Sequence, residues 1–293
     1  MDFPDLLPEG WNWTLIWAAC LLAVILLTLV ILLAGAHPWA HTTQDRIDGY
    51  HHEQCEEVNP RAPFVQGMNF WSNFAYLAAG LFIFTRSDFA FGKAIGVVMM
   101  LLAIGSGYFH GTLTETGQTV DMMMTYSAVL VMLVYAMVKV MRLSTSDVTS
   151  WLMLILGGVG LGCAAGILRT HVKFFDSDYF TPLLVGMLFV YMVVEAIGSI
   201  NWSQSGFIYF AWKTDWRPVL LWTSVAMLSG LAAVIFKFTD GDKNLFAAYD
   251  GVYSKCAYDP GSIIQGHGLW HIFSAVMFVG IFEYIRVTSD SSR

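Results

Sequence analysis

The sequence predicts an all-α polytopic membrane protein. Three observations carry that expectation: 56% of its 293 residues are hydrophobic, only 13% are charged, and apolar runs long enough to cross a bilayer recur along the whole chain. The mean hydropathy of +0.59 lies well outside the range of a soluble globular domain. Eight runs are expected as spans, near residues 12–36, 69–86, 93–110, 119–141, 151–168, 180–199, 217–237 and 265–286.

The first run, residues 12–36, follows acidic rather than basic residues and is longer than a signal-peptide core, so it reads as a retained N-terminal span. Residues 37–68 form an acidic loop. The next seven runs extend over residues 69–293. Gly157, Gly158, Gly160, Gly162, Ala164 and Ala165 crowd the span at 151–168; such small residues weaken a helix in water but let helices approach closely in lipid. Met122, Met123 and Met124 in the span at 119–141 read as adaptable packing.

Charge excludes one class of partner and says little about topology. Fifteen Lys and Arg against 22 Asp and Glu give a net charge of -7, which leaves no basic surface for nucleic acid. The basic residues split eight to seven between the two sides of an eight-span arrangement, so they barely orient it. Acidic residues concentrate in the loops 37–68, 111–118, 169–179 and 238–264, all on one side. That side is expected to be extracytoplasmic, with both termini in the cytoplasm. Of the four cysteines, Cys20 and Cys163 lie in apolar runs and read as inert. Cys55 and Cys256 lie in polar loops on the acidic side, where a disulfide and two free thiols are both open.

Ionisable groups inside spans are costly, so they mark function or a paired contact. Ser106 and His110 are four residues apart, as are His267 and His271 in HGLWH. That spacing puts two side chains on one helix face about 6 Å apart along the axis. Two imidazoles so placed can bind one metal. Alternating helix directions bring His110, His267, His271, Ser106 and Asp121 to the same membrane depth. Three neutral imidazoles with one open position suit a catalytic zinc, which activates water and polarises a carbonyl. Asp121 is placed to move a proton and Ser106 to hydrogen-bond a developing oxyanion. The plainer reading is that buried histidines satisfy one another or a carbonyl. Glu195 reads as a protonated interhelical contact, Glu283 as an interfacial pair with Arg286, and His37, His41, His51, His52 and His171 as loop histidines.

The order S-x-x-x-H, D, H-x-x-x-H resembles the CREST superfamily of seven-helix membrane hydrolases, which takes in alkaline ceramidases, progestin and adipoQ receptors and GPI-anchor remodelling proteins. CEEVNPRAPFVQGMNFWSNFAY (55–76), GSGYFHGTLTETGQTVDMM (105–123) and CAYDPGSIIQGHGLWHIFSA (256–275) resemble the alkaline ceramidases in particular. The resemblance implies a seven-helix core over 69–293, with the span within 1–36 as an addition. It implies zinc on His110, His267 and His271, assistance from Ser106 and Asp121, and a disulfide between Cys55 and Cys256. It also implies calcium in the 37–68 loop, with Glu53, Glu56 and Asn59 as ligands, although Gln66 stands where the family has a later glutamate. A solvated acidic loop is the alternative. The expected activity is hydrolysis of the amide of ceramide or a related N-acyl lipid. A receptor or sensor of the adipoQ type with a structural zinc is the rival. A transporter fits less well, because the polar groups gather at one side rather than the midplane.

Overall fold

In a computed structural model of the protein, the described residues are 55–175, 177–198, 200–201, 211–212, 216–237, 259 and 261–290. The span at 12–36, Glu53 and Cys256 lie outside them, as does the side chain of Glu195. The described chain is helical apart from one two-residue antiparallel pair, β1 (Ile200–Asn201) with β2 (Ala211–Trp212). The helices are α1 (Gly67–Ser72), α2 (Phe74–Arg86), α3 (Ala90–Thr112), α4 (Glu115–Val140), α5 (Val148–Leu168), α6 (Ser177–Gly198), α7 (Trp216–Lys237) and α8 (Gly266–Asp290).

Five of them, α3, α4, α5, α7 and α8, are long and apolar enough to cross a membrane. The apolar stretch of α6, Tyr179–Val194, is shorter. The expected single span at 69–86 is instead two helices joined by a tightened turn. Asn73 donates its backbone N–H to the Phe70 carbonyl at 3.2 Å and its side-chain N–H to the Asn69 carbonyl at 2.8 Å. Hydropathy reports affinity for lipid, and a polar residue that satisfies the backbone locally changes helix geometry without lowering that affinity much. In α5, Met153–Gly160 is π-helical, in a stretch holding three glycines.

Buried side chains from every helix from α2 to α8 form the core, with Tyr126, Tyr284, Phe91 and Phe282 among the largest fully buried. α4 sits at its centre: 72% of its apolar window is buried, against 28% for α5 and for α7. The outward faces of α5 and α7 carry exposed apolar residues such as Leu156 (66%) and Leu228 (68%), as a helix facing lipid requires.

The two ends of the bundle differ in chemistry. At the end reached by the C-terminal parts of α2, α4 and α8, the fully buried Glu283 bridges Arg286 (2.7 Å) and Arg86 (3.4 Å), so the expected Glu283–Arg286 contact is part of a three-residue ionic group. Lys139 hydrogen-bonds Thr288 there. The opposite end holds the histidines.

Candidate metal centre

The centre is built where α3 stops and α4 and α8 start. α3 ends at Leu113, a buried non-glycine residue with φ 48°, a left-handed conformation that costs an L-residue about 1–2 kcal/mol. Thr114 follows directly as the cap of α4, its Oγ1 accepting from the Gly117 N–H at 3.1 Å. This two-residue corner keeps the last turn of α3, with His110, beside the first turns of α4, with Asp121. Close approach of α3 and α4 is set by Gly105, where a Cβ would lie 2.9 Å from Met124 Cγ.

His110, His267 and His271 are all buried, and one ring nitrogen from each lies within 4.8 Å of the others. Their ring centroids are 4.6–5.1 Å apart. Hydrogen bonds fix which nitrogen of two of the rings is available. Gln66 Oε1 is an acceptor 2.8 Å from His110 Nδ1, so Nδ1 carries the proton and Nε2 keeps its lone pair. That Nε2 is buried and has no hydrogen-bond partner. Ser72 Oγ gives its proton to the Asn69 carbonyl (2.8 Å) and therefore accepts from His271 Nδ1–H (2.8 Å), which leaves His271 Nε2 as the free donor. Metal-binding histidines have this arrangement, with the second nitrogen held by an oxygen that sets tautomer and ring orientation. Three buried imidazoles, two of them so prepared, can hold a metal ion on His110, His267 and His271.

Beside the histidines, Asp121 is 6% exposed and Ser106 is 2% exposed. The Asp121 carboxylate accepts hydrogen bonds from Ser106 and, at 3.4 Å, from Thr125 Oγ1; Arg169 and Lys237 are the cations whose fields reach it. Lys237, at the end of α7, lies 5.0 Å over the Trp270 ring. Tyr76 closes another side: its hydroxyl is 2.6 Å from Ser274 Oγ, and its ring centroid is 5.5 Å from that of His271. The five residues singled out from sequence are thus brought to one end of three helices.

Gln66 and Ser72 were not singled out for this role. Their signal was present: Gln66, Asn69 and Asn73, with Ser72, put a polar stripe at helical spacing just before an apolar helix. Gln66 and Asn73 flank α1 and Asn69 and Ser72 lie within it, and α1 packs against both histidine-bearing helices. Gln66 stands where the resemblance places a calcium glutamate, a position that by itself points away from the histidines.

The other expectations resolve differently. Of the expected calcium ligands, Glu56 and Asn59 are among the described residues, and each accepts hydrogen bonds from backbone amides. Glu56 is buried (5% exposed) and its two oxygens accept from the Met68 N–H (2.5 Å) and the Asn69 N–H (2.8 Å). Burial raises its carboxyl to about 7 against the opposing pull of those two amides. Asn59 is exposed, and its Oδ1 accepts from the Arg61 N–H at 3.0 Å. Glu53 lies outside the described residues. Cys55 is disulfide-bonded; Cys256, its expected partner, also lies outside them, and Cys163 is free. Met123 packs against Gly166, and His171 is exposed.

No protein-family model matches the chain, and no curated protein is significantly similar to it. Apart from its one short strand pair the described chain is helical, with helices suited to a multi-pass membrane protein, and its buried group of three histidines can bind a metal ion.

Proposed function

We propose that the protein is an intramembrane zinc hydrolase that cleaves the amide of ceramide or a related N-acyl lipid, giving a fatty acid and a long-chain amine. The proposal includes a seven-span CREST-like core, resembling the alkaline ceramidases, preceded by one further span, with the centre at the extracytoplasmic end. The observation that carries it is the preparation of the histidines: two Nδ1 atoms are engaged by protein oxygens, and the buried Nε2 of His110 faces no partner.

Zinc, when bound, supplies Lewis acidity, lowering the pKa of water to about 7 and polarising the carbonyl. The chain's own residues do the rest. Asp121 accepts the proton of the attacking water on its carboxylate and returns it to the departing nitrogen, so the C–N bond breaks, a C–O bond forms, and no proton is left over. Ser106, bonded to Asp121 in the resting state, donates a hydrogen bond to the carbonyl oxygen as charge develops there and keeps its proton. Low exposure of Ser106, His110 and His271 keeps bulk water away and makes each of these contacts stronger. A lipid substrate suits this centre because the surrounding helices present apolar faces in which an acyl chain is already dissolved.

The test is to purify the full chain in lipid nanodiscs, measure bound zinc, and follow fatty-acid release from labelled ceramide. Near-stoichiometric zinc and hydrolysis that disappear together in His271→Ala are expected. Hydrolysis at full rate by metal-free protein would end the proposal, and zinc without hydrolysis of any N-acyl lipid would favour the sensor.

A further inference from the structure

We infer that Glu56 is a positioning residue for the metal centre, acting as a detached cap that holds α1 where its side chains reach two of the histidines. The inference rests on the zinc reading above.

A helix leaves its first N–H groups without internal partners, and the residue before it normally supplies a side-chain acceptor. α1 has no such cap of its own: Gln66 occupies the cap position and makes no capping bond, because its side chain is spent on His110. The N–H groups a cap would take, those of Met68 and Asn69, are taken by the two Glu56 oxygens from twelve and thirteen residues upstream. A six-residue helix is marginal without outside support. At its start, the backbone N–H groups of Val65 and Gln66 bond the Gly111 and His110 carbonyls at 3.2 and 3.0 Å; near its end, Ser72 holds His271. The chain of contacts therefore runs from the Glu56 carboxylate through α1 to ring nitrogens on α3 and α8.

The decisive comparison uses the full chain in nanodiscs as unaltered protein, Glu56→Gln, Ser72→Ala and, as a control at the neighbouring exposed acid, Glu57→Gln. Zinc affinity is read by chelator competition, ligand geometry by the visible spectrum of the cobalt-substituted protein, and calcium binding by titration. Glu56→Gln retains one acceptor oxygen and loses the other, so zinc affinity is expected to fall ten- to a hundredfold, as for other partners of metal ligands. The cobalt spectrum should shift, Ser72→Ala should act in the same direction, and Glu57→Gln should match the unaltered protein. Unchanged zinc affinity and spectrum in Glu56→Gln overturn the inference, as does calcium binding that depends on Glu56. Should Glu56→Gln fail to fold, hydrogen exchange at the Met68 and Asn69 amides of the unaltered protein decides. Coupling is reciprocal, so zinc must slow that exchange, and equal rates with and without zinc overturn the inference. Unaltered protein that holds no zinc sinks the functional reading together with this one, whereas zinc held equally well by Glu56→Gln sinks this one alone.

Discussion

Replacing Gln66 tests the preparation of the centre with both signs available. Gln66→Leu leaves the backbone bond from residue 66 to the His110 carbonyl in place and removes only the acceptor 2.8 Å from His110 Nδ1. The pair is fully buried, so no solvent replaces the lost acceptor. A lost hydrogen bond costs about 0.5–1.5 kcal/mol, and a buried donor left unsatisfied costs about 1–3 kcal/mol. Without metal, the ring can shift its proton to Nε2 and avoid much of that penalty. With metal on Nε2, the proton is confined to Nδ1 and the penalty falls on the loaded state. Zinc binding should therefore weaken by about 1.4–2.8 kcal/mol, or ten- to a hundredfold. Gln66→Glu supplies a charged acceptor at the same place and should tighten binding. Chelator competition on purified protein measures both. Equal zinc affinity in all three proteins would refute the assignment of Nε2 as the metal donor of His110.

Asp121→Asn keeps the shape of the side chain and removes its capacity to take a proton; fatty-acid release should fall about 10²- to 10⁴-fold with zinc content unchanged. Gly162→Ala should destabilise the bundle by about 1–3 kcal/mol, because a Cβ at residue 162 meets the Ser127 backbone nitrogen at 2.5 Å and backbone cannot swing aside; denaturation in mixed detergent measures it. Burial pushes the Glu56 carboxyl in the folded protein from its ordinary 4.5 up to about 7, so the folded state holds the proton more tightly. Stability should fall as pH rises from about 4.5 to about 7 and level off above, with a slope of at most about 1.4 kcal/mol per pH unit, and Glu56→Gln should remove that contribution.

The parts of the fold written in hydropathy and in helical spacing were legible. The runs at 93–110, 119–141, 151–168, 217–237 and 265–286 correspond to α3, α4, α5, α7 and α8, each differing by a few residues at its ends. His110 and the pair His267 and His271 were legible for the same reason: i,i+4 spacing fixes a shared face, and alternating helix direction fixes a shared depth. The turn at Asn73 was not, since its cause is a pair of local hydrogen bonds invisible to an average over polarity. Nor was the role of Glu56, whose bond to α1 spans twelve residues of loop; an acid in a polar loop looks solvated until the helix it caps is known. Gln66 and Ser72 fall between these cases. Their polar stripe was readable, but its facing the imidazoles depended on how α1 sits between α3 and α8.

The most direct test of the centre is zinc K-edge X-ray absorption on the purified full chain in lipid. The expected spectrum has three imidazole nitrogens at about 2.0–2.1 Å and one further light oxygen, the signature of three protein ligands with an open position. Zinc absent after purification, or a shell containing sulfur, would contradict the assignment of His110, His267 and His271 as the ligands of a hydrolytic metal.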